Sequence, residues 1–154
     1  MSKHEQFESA RSYESDSTAR TGVVARDIIA SLAPHSRATV IALSGDLGAG
    51  KTQFAKGVAN TLGIERTVTS PTFLIMRSYE TRRGAWKRLF HLDCYRVDDP
   101  AELRALGWDE IITNPDNIIV VEWAERISAI LPEETVWVDM NIVSPSKRTI
   151  SVRA

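Results

Sequence analysis

What this sequence lacks narrows it first. One cysteine, Cys94, stands among 154 residues. No internal disulfide can staple the fold, and a reducing compartment is expected. No apolar run approaches the roughly 20 residues that a membrane helix needs. The opening "MSKHEQFESARSYESDSTAR" has no apolar stretch of the kind a secretory signal carries. A cytoplasmic location is therefore expected, with no membrane partner. Neither charge sign is in excess: 19 Lys and Arg against 20 Asp and Glu leave a formal charge of −1. That balance gives no general field for nucleic acid, and DNA is not an expected partner, although a local basic patch is not excluded. There is no repeat, no low-complexity tract and no linker.

What is there fits one globular domain. Hydrophobic residues make up 43% and charged residues 25%, ordinary proportions for a folded domain of this size. Residues 1–13 show no periodicity and read as a flexible N-terminal extension, leaving 14–154 as the domain. In "SDSTARTGVVARDIIASLA", Val24, Ile28 and Leu32 recur every four residues, with Asp16 or Ser17 as cap, which predicts a helix. The unbroken apolar run Val40–Leu43 predicts a strand buried on both faces. A second helix is expected over 51–62, with Phe54, Val58 and Leu62 on one face and Gly63 as its stop. "TFLIMRSYE" and "WKRLFHLDCYR" read as strands joined by a hairpin around Gly84. "DPAELRALG" reads as a short helix capped by Asp98 or Asp99 and ended by Gly107. Ile118–Val121 forms a second buried strand, "TVWVDMNIV" a half-exposed one, and "RTISV" a closing edge strand. The fold class is α/β, one domain with a mixed central sheet flanked by helices.

The chemistry lies in "GDLGAGKT". Gly45 to Thr52 satisfies G-x-x-x-x-G-K-[ST] without a mismatch. Glycines let backbone N–H groups approach phosphate oxygens, and the following helix N-terminus favours an anion. Lys51 would reach the β- and γ-phosphates, and the Thr52 hydroxyl would hold Mg²⁺. A glycine-rich turn with a solvated lysine is the bland alternative. The strand before the motif and the amphipathic helix after it favour the nucleotide.

A P-loop also needs a carboxylate at the end of a neighbouring buried strand. "IIVVEW" offers Glu122, where aspartate is usual; a surface glutamate at a strand end is the alternative. Trp123 is either core or a ring beside the nucleotide. His91 and Asp93 lie on one side of a strand but lack the third ligand of a zinc site. Asp93 is either a water-orienting or metal-organising group or a strand-end cap. "TSPTF" is either a turn or a switch-like segment, with Ser70 and Thr72 as its candidates. "TRRGAWKR" is a solvated hairpin tip or, less simply, a partner contact. Cys94 reads as a small buried hydrophobe. The guanine-reading N-K-x-D pattern is missing, which tilts the choice to ATP.

Taken in order, "GDLGAGKT", "SPTF", "HLDCYR" and "VVEW" resemble the bacterial TsaE (YjeE) family of ATPases from the tRNA threonylcarbamoyladenosine system. The likeness runs from near Ser15 to the last strands. It implies ATP and Mg²⁺ as cofactors and hydrolysis that is slow without partners. It implies work with TsaB and TsaD on adenosine 37 of ANN-decoding tRNA. TsaD performs the transfer in that system, so tRNA would be met indirectly. By the same likeness Asp46, Leu47, Gly48, Ala49, Gly50, Lys51 and Thr52 form the phosphate loop, and Thr52 and Glu122 hold the metal. Lys51, Asp93 and Glu122 would serve the chemistry, Trp123 would flank the nucleotide, and Ser70 and Thr72 would lie in the switch-like loop. Base and ribose contacts would come from Ser15 and Thr18 and from Lys147 or Arg148. Two other readings fit a P-loop: a small-molecule kinase, and a nucleotide-gated scaffold without turnover. Against the kinase, the basic hairpin precedes the Glu122 strand and lacks the helical flanks of a lid.

Overall fold

The computed structural model describes residues 11–66, 68, 69, 71 and 74–153. The chain runs β1 (Arg11–Ser15), α1 (Thr18–Ala30), β2 (Thr39–Ser44), α2 (Lys51–Thr61), β3 (Met76–Glu80) and β4 (Arg88–Asp93). A 3-10 segment, Pro100–Leu106, leads into α3 (Trp108–Thr113) and β5 (Asn117–Glu122). A second 3-10 segment, Ala124–Ile130, precedes β6 (Val136–Ser144) and β7 (Lys147–Arg153). The seven strands form one sheet in the order β1-β7-β6-β2-β5-β4-β3. The central four, β6, β2, β5 and β4, pair in parallel, and antiparallel strands close both sides. The α/β class with a mixed sheet flanked by helices is what the strand and helix signals predicted.

The apolar runs explain the layering. Side chains alternate across a strand, so β2 and β5 can be apolar throughout only if both faces are covered. Ile41, Leu43, Ile118 and Val120 face Val24, Ile28, Phe54 and Val58 of α1 and α2. Val40, Ala42, Ile119 and Val121 face Leu103, Trp108, Ile111 and Ile127 on the other side. Ser17 caps α1 by accepting from the Arg20 amide at 3.0 Å. Asp99 caps the first 3-10 segment through the Ala101 amide at 2.9 Å, with Pro100 at its start. Both caps were expected, the second for a helix that closes as 3-10 turns.

Three expectations need correction, and one helix went unread. Arg11–Tyr13, assigned to a flexible extension, lie in β1, which pairs with β7 through Tyr13 opposite Ile150. In "RSYES" only Tyr13 is apolar, so no alternation announces a strand. For the same reason β7 is not the edge: β1 covers it. The strand expected from residue 72 begins at Met76. The helix α3 went unread because "WDEIIT" is under two turns, too short to display a period.

Candidate functional site

Three parallel strands end level with one another. In register, Leu43 of β2 lies opposite Glu122 of β5, and Glu122 opposite Asp93 of β4. Ligands of open α/β sheets sit in the crevice beyond such carboxyl ends. Here the chain leaves β2 through Gly45, whose φ of +148° and tight approach to the Met140 carbonyl leave no room for a Cβ. It then turns into α2 at Gly50, with φ +101°. The free amides of the α2 N-terminus open into the same crevice.

Around this loop a cavity of about 450 Å³ is lined by Leu47, Gly48, Gly50, Lys51, Thr52, Gln53, Asp93, Tyr95, Arg96, Glu122 and Trp123. Lys51 is 5% exposed. Its Nζ donates to the carbonyls of Gly45 and Asp46 and lies 3.9 Å from the centroid of the Trp123 ring. Burial pulls its ammonium below the ordinary lysine value, opposed by the charges of Glu125, Glu122, Asp46 and Asp93. Trp123, the first residue after β5, takes a left-handed φ of +56°. A non-glycine residue rarely accepts that conformation. It turns the ring over Lys51 and to 5.0 Å from the Tyr95 ring.

Thr52 Oγ1 donates to Glu122 Oε1 at 2.8 Å. The other carboxylate oxygen lies 2.6 Å from His91 Nε2. Asp93 Oδ1 accepts from the Tyr95 amide at 3.0 Å, and the Asp93 amide donates to Ile75. Among the described residues no three His, Cys, Asp or Glu side chains form a metal cage. Two hard oxygens this close, one hydroxyl and one carboxylate, fit a magnesium ion that keeps most of its waters and borrows phosphate oxygens.

A second cavity, about 280 Å³, adjoins the first through Gly48, Gly50 and Gln53, and continues along Ser15, Asp16, Ser17, Thr18, Thr21 and Arg148. Thus Ser15, Thr18 and Arg148, named from the sequence, meet at one hollow. Lys147 does not line it. The Ser15 hydroxyl is spent inside the fold, on the Ser17 carbonyl at 2.9 Å and the Thr21 hydroxyl at 2.8 Å. Arg148 donates to the Gly48 carbonyl from Nε at 3.3 Å and from Nη2 at 3.1 Å. It also donates to the carbonyls of Ser144, Pro145 and Lys147. It is a brace of the phosphate loop.

Leu47, at the loop apex, is 83% exposed, whereas Ala49 is fully buried. Ser70 and Thr72 lie outside the described residues. Sequence reading missed Gln53, Thr21, Tyr95 and Arg96 as lining residues, and His91 as the partner of Glu122. For Gln53 the signal was its place one residue after the P-loop motif. For Tyr95 and Arg96 it was their closeness to Asp93. Cys94 is fully buried between them, its thiol pushed up to about 12 by burial first and by Asp93 and Glu125 second. The basic hairpin 81–87 precedes β4, at the opposite end of that strand from Asp93, so it cannot lie over the crevice as a lid.

The protein-family model for "Threonylcarbamoyl adenosine biosynthesis protein TsaE" matches residues 15–150. A "tRNA threonylcarbamoyladenosine biosynthesis protein TsaE" of Treponema pallidum is 35% identical over 135 residues, 88% of this chain and 92% of that protein. A protein of the same name from Bacillus subtilis is 41% identical over 115 residues, 75% of this chain and 69% of the relative. The crystal structure of YdiB from Bacillus subtilis superposes with a TM-score of 0.74 at 32% identity, covering 93% of this chain and 84% of that one. With the family model matched over residues 15–150 and relatives this similar, the chain belongs to the TsaE family.

Proposed function

We propose that this chain is a magnesium-dependent P-loop ATPase serving threonylcarbamoyladenosine formation at position 37 of ANN-decoding tRNA. In this reading it acts with the TsaB–TsaD pair and does not itself transfer the group. Family membership supports a role in that tRNA modification, since the relatives carry its name. One observation carries the nucleotide part: Lys51, Thr52, Glu122 and Asp93 line one cavity at the ends of three level strands, beside the glycine loop.

Phosphoryl transfer asks a protein mainly for positioning and charge neutralisation. The loop amides and Lys51 would take the β- and γ-phosphate oxygens. Thr52 and Glu122 would hold magnesium, which supplies further positive charge there. Asp93 would orient the attacking water from the adjacent strand end. Trp123 would pack beside the nucleotide, and the hollow by Ser15, Thr18 and Arg148 would take its nucleoside end. Ser70 and Thr72 remain candidates for the switch-like loop.

ATP turnover is measured with and without TsaB and TsaD, alongside calorimetry with Mg-ATP. We expect binding by the chain alone, slow hydrolysis, and stimulation by the pair. No heat with Mg-ATP would end the nucleotide reading; binding without stimulation would end the partnership. Phosphate passing to an acceptor other than water would favour a kinase. An Asp93→Asn chain that loses turnover yet fully supports the modification would mean a nucleotide-gated scaffold.

A further inference from the structure

His91 sits on β4, two residues before Asp93 and opposite Val120 of β5, and is 1% exposed. Its Nε2 meets Glu122 Oε2 at 2.6 Å, while Glu122 Oε1 accepts the Thr52 hydroxyl at 2.8 Å. Among the described residues its second nitrogen, Nδ1, is buried without a hydrogen-bond partner. An orphaned buried nitrogen is a cost that an apolar ring would avoid. The polarity at this position is therefore repaid on the Nε2 side only, at Glu122.

We propose that His91 is the positioning residue of Glu122. It fixes one carboxylate oxygen inside the sheet so that the other stays beside Thr52 at the crevice. A glutamate with one partner can rotate about its side-chain bonds; with Thr52 and His91 holding opposite oxygens it cannot. An ionised carboxylate only accepts, so Nε2 is the donor of this bond. His91 is thus not a ligand but a support behind one, the arrangement that orients metal-binding carboxylates elsewhere. This inference rests on the magnesium-nucleotide reading of Thr52 and Glu122.

ATP binding is measured by calorimetry over a magnesium series and in excess chelator, for the native chain, His91→Leu and His91→Gln. The leucine removes the donor; the glutamine amide returns an N–H near the Nε2 position. We expect His91→Leu to raise the half-saturating magnesium concentration by about tenfold or more. It should leave binding in chelator near the native level, and His91→Gln should recover most of the loss. An unchanged magnesium requirement in His91→Leu, in a native chain that binds Mg-ATP, overturns the inference alone. Equal loss with and without magnesium overturns it too, since that marks a merely structural role. A native chain that binds no ATP sinks both readings. Should His91→Leu fail to fold, the ring ¹⁵N spectrum of the native chain decides: a proton on Nε2 is expected, and an Nε2 without a proton overturns the proposal.

Discussion

Replacing Arg148 by lysine separates two roles that this residue could play beside the nucleotide. The guanidinium spans the 100 residues between β7 and the phosphate loop and forks onto the Gly48 carbonyl through Nε and Nη2. A lysine is a point charge and cannot fork. Each lost bond is worth about 0.5–1.5 kcal/mol net, and with the Nε bond long at 3.3 Å the two together brace the loop by about 1–2 kcal/mol. If that order must be restored when a ligand binds, affinity falls by about five- to thirtyfold. Calorimetry with Mg-ATP and with inorganic tripolyphosphate is the assay. A brace acts on the loop whatever is attached to the phosphates, so both ligands should weaken by the same factor. If ATP weakens and tripolyphosphate does not, Arg148 touches the nucleoside and the bracing argument is wrong. If neither changes, the Gly48 bonds are idle.

Three further outcomes are expected. Phe54→Ala, at a site with no exposure in α2, should lower stability by about 3–5 kcal/mol, read from the urea midpoint at unchanged slope; a loss under about 1.5 kcal/mol would contradict the packing described. Gly50→Ala forces a Cβ onto a residue with φ of +101° and should cost about 1–2 kcal/mol in thermal unfolding. The nearest side-chain atom, Met140 Cε at 3.3 Å, can yield, so the cost lies in the backbone and an unchanged melting temperature refutes it. Cys94, with its thiol raised from 9.0 to about 12, should react with Ellman's reagent on the order of a thousandfold more slowly in the folded chain than in urea at pH 8. Its folded value lies above the unfolded one, so its contribution to stability is full below pH 9 and is lost as pH climbs towards 12; rapid labelling of the native chain would refute the burial.

Elements whose signal is local were legible in the sequence. Val40–Leu43 and Ile118–Val121 announced two-faced burial because no polar residue interrupts them. The P-loop announced itself because each position has its own chemical need. Contacts between distant segments were not legible. That His91 faces Glu122, 31 residues on, depends on β4 pairing with β5, which no spacing reveals. The forking of Arg148 onto Gly48 depends on β7 folding back along β6. In β1 the apolar content is one tyrosine, so the strand exists by pairing and not by pattern. Trp123 looked like core or a nucleotide neighbour. Its left-handed backbone, which aims the ring at Lys51, leaves no mark in the composition around it.

The level ends of β2, β5 and β4 make the sheet a ruler for the crevice. Sliding β5 by one step would turn every side chain on it to the opposite face. The aliphatic rows would trade layers, and the acid at its tip would leave the hydroxyl of Thr52. An insertion in an outlying turn costs nothing of this kind, whereas one inside either strand forfeits packing and alignment together. The geometry of the crevice can therefore drift only as far as the hydrophobic interior allows.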